Sequence, residues 1–153
     1  MIYKLPFTAI SRALMKALTE EGNIEWFDCA VPIEEIEQYF QNRSEFEYGI
    51  IGAASITSDP NKDTVIWKGS VGLEIYSNYK GRKKIAARLE ELLNHLSQNG
   101  FIILSEQFRA CGYNLIRLSI GDMSINTPIY GNFAVWQSGV TDITFVLEQR
   151  GDE

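Results

Sequence analysis

The chain has 153 residues, of which 45% are hydrophobic and 22% charged, with a formal charge of −6, one histidine and two cysteines. That length suits one domain with one core, 1–153, and the composition excludes a disordered, fibrous or disulfide-framed chain. An acidic balance also excludes a surface built wholly for nucleic acid, because phosphate binding needs clustered Lys and Arg, and only a local basic patch stays open.

The N-terminal stretch is broken by Lys4, Arg12 and Lys16, so it lacks the apolar run of a signal peptide, and no membrane span is expected. The expected compartment of synthesis is the cytoplasm. Phe7, Ile10, Leu14 and Leu18 recur at helical spacing, with Pro6 or Thr8 to start the helix and Gly22 to stop it. Ile24 to Val31 reads as a short strand near a sheet edge, ending at Pro32. Ile33 to Gln41 fits either a short helix or a loop, with Ile33, Ile36 and Phe40 inward and a solvated acidic face of Glu34, Glu35 and Glu37.

Phe46 to Thr57 carries apolar side chains at even positions and reads as a strand, followed by a turn over Ser58 to Asp63. Thr64 to Ser77 is the longest strand signal: Val65, Trp67, Val71, Leu73 and Ile75 share one parity, and polar residues hold most of the other. Together these make a long hairpin, with Gly69 and Gly72 expected to mark a bulge or bend. The helix that follows sets Ile85, Leu89, Leu92, Leu93 and Leu96 on one arc, which supplies the cover that the strand needs. Asn99-Gly100 ends that periodicity, and Phe101 to Phe108 and Tyr113 to Ile120 read as two further strands. Gly121 to Asn132 reads as a long exposed loop, and Phe133 to Leu147 as a last strand or pair broken near Gly139. The expected fold is α+β: a mainly antiparallel sheet with a long β-hairpin and two helices packed on one face.

No spacing of catalytic or ligand-binding type appears. His95 and Cys111 are the one conceivable thiol–imidazole pair, without a third orienting residue, and Cys29 and Cys111 read as small buried hydrophobes. Two thiols and one histidine fall short of a four-ligand zinc site, and the glycines match no phosphate cradle, so no cofactor, metal or catalytic residue is expected. One charge feature stands out. Lys80, Arg82, Lys83, Lys84 and Arg88 cluster at the start of the second long helix, where the macrodipole disfavours cations by about 0.3–1 kcal/mol each. They fit either a solvated turn or a contact with an acidic surface or a phosphate backbone.

The order of first helix, short strand, large hairpin and charged helix, carried by Val71-Gly72-Leu73-Glu74-Ile75-Tyr76-Ser77 running into Asn78 to Leu96, with Phe46 to Ile51 upstream, resembles the tail-terminator or tail-completion proteins of long-tailed bacteriophages. The resemblance implies a non-catalytic virion assembly protein. Its copies would form a homo-oligomeric ring, a hexamer, that caps the tail tube, stops its growth and joins the tail to the head connector. Its partners would be itself, the tail tube protein and the head–tail connector protein, with no membrane and no sequence-specific nucleic acid. It would reside in the virion tail, and in the bacterial host cytoplasm during assembly. Within such a ring, Lys80, Arg82, Lys83 and Lys84 are expected to face Glu34, Glu35 and Glu37 of the next copy, or an adjoining tail protein. A head-completion or neck protein shares most of this pattern. A small ligand-binding domain or enzyme using the aromatic-rich sheet is the alternative from another class.

Overall fold

The computed structural model describes residues 2–22, 24–28, 33–39, 46–60, 64–79, 81–130 and 135–151, with only the backbone of Ile33, Glu34, Tyr39 and Pro60. Among these residues the chain forms α1 (Phe7–Glu21), β1 (Glu25–Phe27), α2 (Ile33–Tyr39), β2 (Glu47–Pro60), β3 (Val65–Ser77), α3 (Lys83–Ser97), α4 (Asn99–Ala110), β4 (Tyr113–Ile125), β5 (Ile129–Tyr130) and β6 (Val135–Gln149). The fold is α+β, with four helices where two were expected. One sheet runs in the order β1-β2-β3-β6-β4, with β5 pairing the start of β6. Only β1 is parallel to its neighbour; the other pairings are antiparallel.

The expected parity of β3 holds. Val65, Trp67, Val71, Leu73 and Ile75 are buried toward the helices, and β3 keeps unbroken register against β6 from Val65↔Gln149 to Ser77↔Gln137. Gly69 therefore marks no bulge, whereas Gly72 lies opposite one, where Ile51↔Leu73 gives way to Ala54↔Val71. A Cβ on Gly69 would lie 2.9 Å from Ile10 Cδ1, so this glycine lets α1 approach the sheet. Ala9, Ala13 and Ala17, buried beside Ile10, Leu14 and Leu18, give α1 the thin face that such an approach needs. The helix stops where expected, at Gly22, whose φ of 74° is a conformation that side chains with a Cβ resist.

β2 pairs with β3 from Glu47↔Ser77 to Pro60↔Val65, so Ser58 to Pro60 belong to the strand and not to a turn, and residues 61–63 lie outside the described residues. The bulge is in β2, between Ile51 and Ala54. It changes the core-facing parity of that strand: Ile51 before the bulge and Ile56 after it both pack in the main core, while Tyr48 and Ile50 face a second cluster.

α3 buries Ile85, Leu89, Leu92 and Leu96 as expected, with Leu93 half-buried at its margin. The following segment, read as a strand, is the helix α4. Leu104 and Phe108 are buried at a spacing of four, and Phe108 meets Phe145 edge to face with ring centres 5.3 Å apart. α3 ends at Ser97, next to Asn99-Gly100 as expected, and those two residues open α4: the backbone turns at Gln98, and a Cβ on Gly100 would come within 2.7 Å of His95 O. Residues 121–125, read as loop, extend β4, and β6 passes straight through Gly139. There a Cβ would lie 2.9 Å from both Ile85 Cγ2 and Leu89 Cδ1, so Gly139 seats α3 and breaks nothing. Three helices, α1, α3 and α4, thus share the main core on one face, while α2 covers part of the opposite face through Ile36. No described helix is long and apolar enough to cross a membrane.

Candidate functional site

The second face carries an aromatic cluster that was legible only as parity. Phe46, Tyr48, Ile50 and Trp136 are buried with Ile36, and Phe27 and Tyr76 pack against them. Tyr48 stacks on Tyr76 at 4.9 Å and meets Trp136 edge to face at 5.4 Å. Burial, then the nearby Glu74 carboxylate, pushes Tyr76 up to about 12; its hydroxyl donates to Glu74 Oε2 at 3.0 Å. Burial and the same neighbourhood push Tyr48 further up. Both stay neutral phenols at ordinary pH, which suits a structural role.

Glu37 departs from expectation. Its side chain is 4% exposed and accepts a hydrogen bond of 2.9 Å from Trp136 Nε1, so it holds α2 onto this cluster and faces no solvent. A buried carboxylate needs such a donor, because a charge left without partners is costly to bury. Glu35 is exposed, and the side chain of Glu34 lies outside the described residues. The acidic face expected over these three residues therefore does not include Glu37.

Of the basic run, Lys80 lies outside the described residues, while Arg82 and Lys83 are exposed before and at the start of α3. Lys84 is half-buried, its Nζ 4.8 Å from the centre of the Tyr79 ring. Arg88 is accounted for within the subunit by Glu47 at 2.5 Å and Glu91 at 2.8 Å. Burial alone would lower its pKa, but these carboxylates turn the net direction upward and keep it a cation. α3 and α2 pack on opposite faces of the sheet, so among the described residues one subunit does not bring Lys83 and Lys84 to Glu35.

His95 and Cys111 are not brought together either. Cys111 caps the far end of α4, and a twelve-residue helix at about 1.5 Å per residue separates its ends by about 18 Å. His95 Nε2 donates to Ala17 O at 2.7 Å, tying α3 to α1, and Cys111 packs against the main core. An open hollow of about 510 Å³ beside His95 is lined by Glu20, Glu21, Glu91 and Asn94. Among the described residues no group of His, Cys, Asp and Glu has the arrangement to hold a metal ion.

The surface feature that sequence reasoning missed is the flank of β4. Ile116 and Met123 of β4, Ile129 and Tyr130 of β5 and Val135 of β6 are exposed, strung along the length of β6 from the level of Val146 to Val135, and Ile102 of α4 and the N-terminal Ile2, Tyr3, Leu5 and Phe7 are exposed as well. Beside Met123 an apolar groove of about 320 Å³ opens between α3 and β4, lined by Ala86, Leu89, Leu93, Met123 and Ile125. Single exposed apolar residues need no explanation, but a row of them along one outer strand makes that strand a candidate interaction surface. No family model matches the sequence, and no curated protein matches it at a significant level.

Proposed function

We propose that the chain is a structural assembly protein of a long-tailed bacteriophage or prophage, of the tail-terminator or tail-completion type. Its copies close into a ring, six in number, that caps the tail tube and faces the head connector. The observation that carries this reading is the row of exposed apolar side chains along β4 and β5. An enzyme or small-ligand protein collects its apolar surface in a pocket, whereas here it borders an outer strand of the sheet, where another protein sits. An apolar flank that meets a different surface of the next copy adds subunits head to tail, and such addition ends as a ring when the rotation closes.

In that ring the work is geometric. One rim blocks further tube subunits and the other fits the connector, in the host cytoplasm during assembly and in the virion tail afterwards. Exposed Arg82 and Lys83, with Lys80 beside them in sequence, meet an acidic neighbour, for which Glu35 is a candidate and Glu37 is not. Such surface pairs contribute about 0–1 kcal/mol each and are screened beyond about 8–10 Å, so they set orientation and rate more than affinity.

The test is polymerisation of the tail tube protein of the same phage or prophage with and without this chain. Shorter tubes, with this chain pelleting at their ends, are the expected outcome. Tubes of unchanged length, with this chain left in the supernatant, would remove the reading.

A further inference from the structure

Resting on the ring reading, we infer that the joint between copies is a strand pairing: the outer edge of β2, from Gly52 to Asp59, pairs antiparallel with the outer edge of β4 of a second copy. Both edges are open. β1 covers β2 only opposite Tyr48 to Ile50, and among the described residues nothing pairs the outer side of β2 beyond that or the outer side of β4. Isolated proteins blunt such edges with charge or proline, yet Gly52 to Ser58 carries neither, and Ala53, Ala54, Ser55, Thr57 and Ser58 are exposed. An uncharged open edge of small residues is a template for another strand.

The partner is identified by fit. β2, β3, β6 and β4 are antiparallel from each neighbour to the next, so β4 runs opposite to β2. A copy added beside the sheet in the same orientation therefore places its β2 antiparallel to β4. Following the ladders across, Thr57 is level with Lys68, Val146 and Arg117, and Asp59 with Ile66, Glu148 and Asn114. Continued at that level, Asp59 falls diagonal to Arg117 of the next copy, about 7–8 Å away and within reach of a long side chain. Asp59 is the one charge on this edge, Arg117 is the one cation on β4, and neither has an ion pair among the described residues of its own subunit. The small Thr57 and Ser58 of β2 also face the large Ile116. Pairing β4 with β4, or β2 with β2, would set large against large or small against small.

Area explains the rest of the flank. Seven residues from Gly52 to Ser58 span about 23 Å, and with side chains on both faces the strand joint covers about 460 Å² per partner, short of the roughly 800 Å² of a standard interface. The remainder falls to the apolar groove. Ser124 and Ile125 lie level with Ile50 and Gly49, where β1 already fills the outer side of β2, so the strand joint ends before them and the groove beside Met123 and Ile125 meets the rim of the second copy around β1.

The experiment uses two full-length variants, Ser55→Lys/Thr57→Lys to block the β2 edge and Ile116→Lys/Met123→Lys to block the β4 edge. All four positions are exposed, and circular dichroism and melting confirm that each variant folds like the parent. By sedimentation velocity each variant alone loses the ring and runs as a monomer, while an equimolar mixture forms a one-to-one dimer, because one intact β2 edge and one intact β4 edge remain. A ring from either variant alone, a dimer of either variant alone, or a monomeric mixture would overturn the pairing. If the parent and both variants all form rings, the pairing is wrong and the ring reading stands; a parent that is monomeric at every concentration removes both.

Discussion

The seat of α3 on the sheet can be taken apart at a single contact. Leu89 is buried, and its Cδ1 lies 2.9 Å from the place a Cβ on Gly139 would occupy. Leu89→Ala removes three carbons, worth about 2.4 kcal/mol at roughly 0.8 kcal/mol per buried methylene. The hole opens into the groove shared with Leu93 and Met123, so the cavity penalty is small and the total stays near the low end of the 2–5 kcal/mol usual for such changes, about 2–3 kcal/mol. At about 2–4 °C per kcal/mol for a chain of this size, the melting temperature falls by roughly 5–10 °C. Gly139→Ala overpacks the same spot against Ile85 and Leu89 and also destabilises, by about 1–3 kcal/mol. The double variant is diagnostic, since a new methyl facing the space that Leu89 vacates costs less than the sum of the two single changes. The assay is thermal unfolding followed by circular dichroism on the parent and three variants. A Leu89→Ala protein that melts with the parent, or strictly additive single changes, would show that α3 is not seated on Gly139.

Two further outcomes concern the second face. Trp136→Phe keeps the ring but removes the donor to Glu37, and the buried carboxylate makes this cost about 1–3 kcal/mol by urea denaturation; an unchanged midpoint would mean that Glu37 is not held there. Tyr76 ionises near 12 in the fold and near 10 when unfolded, so its contribution is fully present below about pH 10 and is lost as pH rises toward about 12. The urea midpoint of the parent should fall over that interval, and less steeply in Tyr76→Phe; equal slopes would show that the phenol is not buried beside Glu74.

What the sequence disclosed follows from how residues advertise burial. The arc from Ile85 to Leu96 and the parity of Val65 to Ile75 were legible because each has one covered face, and the short strand before Pro32 appears as β1. Phe101-Ile102-Ile103-Leu104 was not, since four apolar residues in a row fit a strand or a helix equally, and Gly100, beside the end of α3, gave no sign that it also opens the next helix. Residues 121–125 lack alternation because the outer strand exposes both faces there, so they read as loop. Gly139 looked like a break because a glycine's sequence signal does not tell a turn from a close approach. The direction of Glu37, and hence the reduced acidic face of α2, depends on Trp136, distant in sequence.

The most direct measurement of the central claim is negative-stain microscopy of the purified full-length protein across a concentration series. Closed rings with a central hole and a single subunit number are the expected result. Monomers at every concentration, or open filaments and two-fold dimers in place of rings, would contradict it.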